Sequence, residues 1–166
     1  MKKTYRISFF KIIIPMLSPI ILSLILLIPA IGTFMIDEMF GFVIILSMII
    51  YEIVPAIILK INYIIIDFKK TLSIDIAASE LVISNEGKSN RIMFSEIAKI
   101  DVFRSKRHGE PPIGIKPPWY YYYYYVIRLK NKNRYVITRL AVPRLEKKLK
   151  EIKFAYRYTW FPFIKQ

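Results

Sequence analysis

Few side chains in this sequence could carry out covalent or metal chemistry. There is one histidine, His108, and no cysteine, which excludes disulfides, thiolate chemistry and zinc sites built from cysteines or several histidines. Catalysis needs a positioned base, nucleophile or metal, and His108 has no evident carboxylate partner. Acidic residues lie singly in expected strands and turns, as at Asp75, Glu80, Glu86, Glu96 and Asp101. We therefore predict no catalytic residue, no metal site and no cofactor, and a protein that is not an enzyme.

Positive charge beside aromatic rings is the strongest chemical signal. The chain has 26 Lys+Arg residues against 12 Asp+Glu and a formal charge of +14, which attracts the phosphate groups of lipid or nucleic acid. A segment rich in proline and glycine, RSKRHGEPPIGIKPP, leads directly into WYYYYYY at residues 119–125. Beside a membrane, such a basic loop would face anionic headgroups. The candidate lipid- or partner-binding residues are Arg104, Lys106, Arg107, Lys116, Trp119, Tyr121 and Tyr123.

The run of six tyrosines allows two interpretations. Side chains alternate between faces in a strand, so Tyr120, Tyr122 and Tyr124 share one face and the other three share the opposite face. Exposed rings would sit at headgroup level, where Tyr and Trp collect. Alternatively, a long strand uses tyrosine for its β-propensity and cross-strand pairing, and the basic loop is an ordinary cytoplasmic excess of Lys and Arg. Stacking on nucleic acid is disfavoured by the membrane attachment argued next.

Two apolar segments precede this region. Residues 12–36 contain no charged side chain, and residues 39–59 contain one, Glu52. Each reaches the length of about 20 apolar residues that spans a bilayer. The sequence therefore predicts a transmembrane helical hairpin in an N-terminal domain of residues 1–66, with helix 1 at about 12–36 and helix 2 at about 39–59. The protein would be integral to the lipid bilayer.

The basic residues around these segments predict the orientation of the hairpin. None lies between the two segments, whereas seven flank them: Lys2, Lys3, Arg6, Lys11, Lys60, Lys69 and Lys70. Since cytoplasmic loops are enriched in Lys and Arg, we expect both termini in the cytoplasm. The predicted location is a cytoplasmic (inner) membrane.

Glu52 is the candidate intramembrane functional residue, because an ionisable group inside a bilayer is costly. Its partner could be Lys60, a carbonyl freed near Pro55, or another protomer. If helix 2 is instead shifted along the membrane normal, Glu52 reaches the hydrated headgroup region. An alternative function follows, in which an oligomeric hairpin acts through Glu52 in signalling, solute passage or protection against a toxin.

Residues 67–166 change to a β-rich pattern and predict a cytoplasmic domain. Alternating apolar residues indicate half-buried strands in TLSIDIA, ELVISN, RIMF, KIDVFRS, WYYYYYYVIRLK and RYVITRL. VPRLEKKLKEI predicts a capping helix, because Leu145, Leu149 and Ile152 share one helical face. The tail FAYRYTWFPFIKQ is either a last strand or a segment at the membrane interface.

The strand and turn patterns resemble a known family. TLSIDIAASELVIS and IMFSEIAKIDVFRS are similar to the opening strands of bacterial pleckstrin-homology-like (PH-like) domains, and WYYYYYYVIRLKNKNRYVITRL is similar to their closing hairpin. Preceded by two membrane spans, the chain resembles bacterial two-transmembrane-helix proteins with a cytoplasmic PH-like domain. The resemblance implies antiparallel strands in a partly open barrel with one C-terminal capping helix. We expect a membrane-tethered, non-enzymatic binding or regulatory module that engages a protein partner or anionic lipid and could form a homo-oligomer.

Overall fold

Two four-stranded β-sheets form the framework of the structure. The computed structural model describes residues 2–7, 38–48, 50–51, 54–106 and 118–165. The strands of the first sheet are, in spatial order, β1 (Lys2–Arg6), β2 (Lys70–Asp75), β3 (Glu80–Asn85) and β4 (Lys88–Met93). All neighbouring pairs in this sheet are antiparallel.

The second sheet contains one parallel pair. Its strands are, in spatial order, β7 (Arg134–Thr138), β6 (Tyr123–Leu129), β5 (Ile97–Ser105) and β8 (Phe154–Thr159). The β7–β6 and β6–β5 pairs are antiparallel, whereas β8 runs parallel to β5. The expectation of antiparallel sheets is therefore confirmed except at β8.

Local sequence explains the tight hairpin between β3 and β4. Glu86 and Gly87 connect the strands with positive φ angles of 50° and 83°. Two consecutive positive φ angles are the geometry of a two-residue hairpin turn that matches the twist of its strands. Glycine adopts this conformation without steric penalty.

The main core lies between the two sheets. Apolar residues from both sheets point inward and are buried, each contributing about 1.5–3 kcal/mol to stability. The first sheet supplies Leu72, Ile74, Leu81, Ile83 and Ile92, and the second supplies Ile100, Val102, Tyr123, Tyr125, Ile127, Leu129 and Ile137. Val142, Leu145 and Leu149 close this core from the segment after β7.

In the described part of the chain, two helices precede β2, and the second packs on the outer face of the second sheet. They are α1 (Glu38–Met48) and α2 (Val54–Asp67). Leu59 and Tyr63 of α2 are fully buried in a second apolar cluster. At the end of α2, Asp67 Oδ2 accepts a hydrogen bond from the backbone N–H of Thr138 in β7, at 2.6 Å. The helix is thus anchored to the sheet.

The predicted transmembrane hairpin is contradicted. In the part of the chain that the structure describes, no helix is both long and apolar enough to cross a membrane. The predicted second span divides between α1, with 11 residues, and α2, with 14 residues, and both fall short of the about 20 residues needed. The predicted first span, residues 12–36, lies outside the described residues. The fold is β-rich, with two four-stranded sheets.

The predicted C-terminal capping helix is also wrong. Residues 142–152 contain only a short 3-10 helix, Leu145–Lys147. Arg144, just before it, has a left-handed backbone with φ of 54°, which a regular α-helix does not accommodate. The apolar pattern was nevertheless informative, because Leu145 and Leu149 are buried as the stripe requires. The first six residues of the aromatic tail, which was left open between two interpretations, form strand β8 (Phe154–Thr159).

The domain boundary predicted between residues 66 and 67 stays a prediction. Strand β1 comes from before this boundary and pairs with β2 from Lys2↔Asp75 to Arg6↔Thr71. The first sheet therefore draws strands from both sides of it.

Candidate functional site

Aromatic and basic side chains meet where β5 ends beside β8. The parallel pairing sets Arg104 opposite Tyr158, and the backbone N–H of Lys106 donates to the carbonyl of Thr159 at 3.3 Å. Because alternate residues of a strand share a face, Tyr156 and Tyr158 lie on the same side. We call this surface the aromatic–basic edge and define it by Arg104, Lys106, Tyr156, Tyr158 and Trp160.

Cation–π contacts order the aromatic–basic edge. The guanidinium carbon of Arg104 lies 4.3 Å from the ring centroid of Tyr156 and 5.1 Å from that of Tyr158. Arg104 Nη2 also donates to the Tyr158 hydroxyl at 2.9 Å. Lys106 Nζ lies 5.0 Å from the ring centroid of Trp160. All these distances are within the range of attractive cation–π interactions, so the charges are held beside the rings.

The aromatic side chains of this edge remain largely open to solvent. Trp160 is 68% exposed, Tyr158 is 54% exposed and Tyr156 is 46% exposed. Aromatic rings normally lie in a core, so three exposed rings beside two cations make this edge the candidate contact surface. The sheet order leaves β8 with a strand neighbour on one side only, among the strands described.

The predicted binding residues are divided between this edge, the interior and the undescribed segments. Arg104 and Lys106 belong to the edge. Trp119 is 9% exposed, and its indole N–H donates to the Tyr51 carbonyl at 3.2 Å. Tyr123 is also buried, whereas Tyr121 is exposed. The remaining three candidates, Arg107, Lys116 and Glu52, lie outside the described residues.

Side chains of the tyrosine run pack against other residues on both faces of β6. Tyr123 and Tyr125 point into the core between the sheets. Tyr122 and Tyr124 point the other way and pack edge-on against Tyr63 of α2, with ring centroids 5.4 Å and 6.3 Å away. The alternation was predicted, but the helix that covers the outer face was not. Most of the run is therefore structural.

The Tyr125 hydroxyl has a defined structural role. Burial raises its pKa far above the ordinary value for tyrosine, so it stays protonated. It donates to Glu146 Oε2 at 2.7 Å and accepts from the Leu145 N–H at 2.9 Å. Tyr125 thereby fixes the segment that closes the core.

Buried carboxylates sit under a surplus of positive charge on the second sheet. Asp101 is fully buried, and Arg128 Nε lies 2.5 Å from its Oδ2. Lys99 and Arg157 approach Asp101 Oδ1 at 3.7 Å and 3.9 Å. Three cations around one carboxylate leave a net positive surface.

Asp67 is the second buried carboxylate, and its surroundings differ. Burial raises the pKa of Asp67, while the hydrogen bond from Thr138 and the nearby Lys70 act in the opposite direction. Lys70 Nζ lies 3.5 Å from Asp67 Oδ1. Through its hydrogen bond to Thr138, Asp67 holds α2 to β7, which is a structural role.

Helices α1 and α2 expose many apolar side chains to solvent. Contiguous exposed apolar patches are typical of surfaces that contact another protein or a membrane. The exposed residues are Met39, Phe40, Phe42, Val43, Leu46, Val54, Ile57, Ile58, Ile61 and Ile65, together with Phe68 directly after α2.

Two concave regions are lined by basic residues. One, of 390 Å³, lies between the first sheet and the segment after the 3-10 helix, with Lys3, Lys147, Lys148 and Lys150 among its lining residues. The other, of 660 Å³, lies on the outer face of the second sheet. Among the described residues, no group of three or more His, Asp or Glu side chains could hold a metal ion.

The three aromatic residues of the edge were not selected as site residues from the sequence. Their signal was visible, since Phe154, Tyr156, Tyr158 and Trp160 alternate with other residues in the tail. What was missing was the partner strand, because Arg104 lies 54 positions before Tyr158. The pairing of β8 with β5 brings the two groups together.

Comparison with known proteins identifies one similarity. A family model described as a PH domain matches residues 4–147. This range runs from β1 to the 3-10 helix and ends before β8. It confirms the PH-like domain, and it gives no support to the bacterial two-transmembrane-helix parts of the resemblance. No curated protein matches the chain, and no solved structure does.

Proposed function

Because the chain belongs to the PH domain family, we propose that it is a binding module rather than an enzyme, and that it engages anionic lipid at a membrane surface. The aromatic–basic edge is the contact surface in this proposal. The observation that carries it is the exposed indole of Trp160 beside Lys106, next to Tyr158 and Arg104.

The chemistry of the edge fits a bilayer headgroup region. Trp and Tyr collect at that level because their rings have an apolar body and a polar group. Each basic residue near an anionic leaflet contributes roughly 1 kcal/mol of attraction. Arg104 and Lys106 would supply this electrostatic part, and the rings of Tyr156, Tyr158 and Trp160 would supply the apolar part.

The exposed apolar residues of α1 and α2 support association with a membrane or a large partner. Exposed apolar area of this kind is disfavoured in water and is relieved by contact. Location at the cytoplasmic side of a bacterial inner membrane stays a prediction from the basic residues of the sequence, and so does homo-oligomer formation. The alternative of an oligomeric hairpin acting through Glu52 is withdrawn with the hairpin.

A protein partner is the second candidate, and it is favoured by the position of β8. An edge strand with unpaired backbone groups can accept an extended peptide as an added strand. In that case backbone pairing, rather than charge, would determine affinity. Binding to a peptide would be insensitive to Lys106→Glu, which separates the two candidates.

Vesicle flotation of the full chain tests the proposal. The full chain is required, because removal of the first residues would delete β1 from its sheet. We expect the fraction bound to phosphatidylcholine–phosphatidylglycerol vesicles to exceed that bound to phosphatidylcholine vesicles, and the excess to fall with added salt. Lys106→Glu should remove the excess, whereas Lys88→Glu on β4, an equal charge change, should leave it. An excess that persists in Lys106→Glu would contradict the role of the edge.

A further inference from the structure

A second concave surface lies on the outer face of the second sheet, and we call it the outer groove. Its volume is 660 Å³, within the range of sites that hold small ligands. The floor is apolar and includes Ile66, Phe103, Tyr124, Val126, Val136 and Phe161. Four cations, Lys70, Arg128, Arg134 and Lys165, also line it, and none of its described lining residues is acidic.

Two of these four cations are already engaged. Lys70 Nζ lies 3.5 Å from Asp67 Oδ1 and donates to the Val136 carbonyl at 3.1 Å. Arg128 is paired with Asp101. The side chains of Arg134 and Lys165 are exposed and have no hydrogen-bond or ion-pair partner in the described part of the chain. The groove therefore offers two unpaired positive charges beside an apolar floor.

The aromatic rings of the floor are already stacked on each other. Phe103 and Tyr124 are parallel, with ring centroids 4.9 Å apart, and Tyr124 also meets the edge of Tyr63. The ring of Tyr158, which lines the groove as well, lies against Arg104. These contacts occupy ring faces on which a nucleobase would otherwise stack. An aliphatic chain needs only apolar area.

From this complementarity we propose that the outer groove binds one single-chain anionic amphiphile, a long-chain fatty acid. The carboxylate pairs with Arg134, since a guanidinium binds a carboxylate through two parallel hydrogen bonds, and Lys165 adds a second positive charge to the lining. The aliphatic chain lies over Val126, Val136 and Phe103. This goes beyond the proposed function, because the aromatic–basic edge contacts a surface, whereas the groove holds a single molecule.

Photolabelling of the full chain tests the proposal. The probe is a palmitic acid analogue with a diazirine in mid-chain, added to the protein in phosphatidylcholine vesicles, and labelled peptides are mapped by mass spectrometry. We expect label in β6, in β7 and in residues 158–165. Excess oleate should remove it, and oleyl alcohol, which has the same chain and no charge, should not.

Variants of the groove sharpen the test. Arg134→Glu/Lys165→Glu should lower the labelling of these segments by tenfold or more, because it removes charged hydrogen bonds and adds repulsion. Lys88→Glu/Lys130→Glu carries the same charge change away from the groove and should label normally. Val136→Trp should lower the labelling by filling the floor, with circular dichroism confirming that the fold is retained.

Three outcomes would overturn the fatty-acid site. They are label confined to the exposed apolar residues of α1 and α2, equal competition by oleyl alcohol, and unchanged labelling of the groove in Arg134→Glu/Lys165→Glu. The site and the proposed function fail separately, because Lys106→Glu should abolish salt-sensitive vesicle binding and leave the labelling of the groove intact.

Discussion

Lys106 Nζ lies 5.0 Å from the ring centroid of Trp160, which joins the end of β5 to the residue that follows β8. The contact places a flexible cation over an aromatic ring that is 68% exposed. Arg104 repeats the arrangement one step back along the strands, against Tyr156 and Tyr158. Each of the two cations of the edge thus lies beside at least one aromatic ring.

Charge reversal at this contact should weaken binding to anionic vesicles. Lys106→Glu removes one positive charge and adds a negative one, at roughly 1 kcal/mol each, so we expect the vesicle dissociation constant to rise about thirtyfold. Vesicle titration at low salt measures it. Lys88→Glu is the matched control, and equal affinity of the two variants would show that only net charge matters.

Removing the Tyr125 hydroxyl should destabilise the domain. In Tyr125→Phe the buried N–H of Leu145 loses its acceptor and Glu146 loses a donor. An unsatisfied buried group costs about 1–3 kcal/mol, so the free energy of unfolding should fall by that amount in urea denaturation. Tyr121→Phe, at an exposed ring, should change it by less than about 0.5 kcal/mol. Equal stability of the two variants would disprove the role of the hydroxyl.

The buried Lys60 should make stability rise with pH. Burial lowers the pKa of Lys60 from 10.5 to about 8, so the folded state binds fewer protons than the unfolded state between these values. Lys60→Met, which keeps the length of the side chain, should raise the free energy of unfolding at pH 7, because it removes a charge that burial disfavours. The gap between variant and wild type should close as pH rises from 8 to 10.5.

The control for Lys60 is an exposed lysine. The difference in free energy of unfolding between Lys88→Met and the wild type should not change between pH 8 and 10.5. A constant gap for Lys60→Met as well would mean that Lys60 keeps an ordinary pKa in the folded protein.

Asp67 should give the opposite pH dependence. Its pKa is raised in the folded state, so the protonated carboxyl is favoured by folding, and this contribution is complete below the usual pKa of 3.8. It is lost as pH rises through the folded value. Relative to Asp67→Asn, the wild type should therefore lose stability as pH rises above 3.8. If the wild type instead gained stability relative to Asp67→Asn as pH rises, the attraction of the nearby Lys70 would outweigh the effect of burial on the pKa of Asp67.

The sequence predicted local structure well and long-range pairing poorly. Period-two patterns located β2, β3 and β5, because each strand shows one face to the core. KKTYR, which forms β1, has no such apolar alternation, and its three basic residues, Lys2, Lys3 and Arg6, were interpreted as the flank of a membrane span. Only the pairing with β2 makes it a strand.

The errors in the helices have a physical cause. The apolar residues of α2 are divided between a buried side, with Leu59 and Tyr63, and an exposed side, with Ile61 and Ile65. Composition alone does not distinguish such a helix from a membrane span. The spacing of Leu145 and Leu149 fits an α-helix, but the segment forms a short 3-10 helix, which the Tyr125 hydroxyl anchors through the Leu145 N–H. These contacts depend on tertiary structure.

Fluorescence of Trp160 tests the central claim most directly. Trp119→Phe leaves Trp160 as the single tryptophan, and vesicles containing lipids with a spin label at the headgroup report its contact with the bilayer. We predict strong, salt-sensitive quenching of Trp160 in phosphatidylcholine–phosphatidylglycerol vesicles, and its loss in Trp119→Phe/Lys106→Glu. Emission that is unchanged by anionic vesicles at low salt would contradict the account.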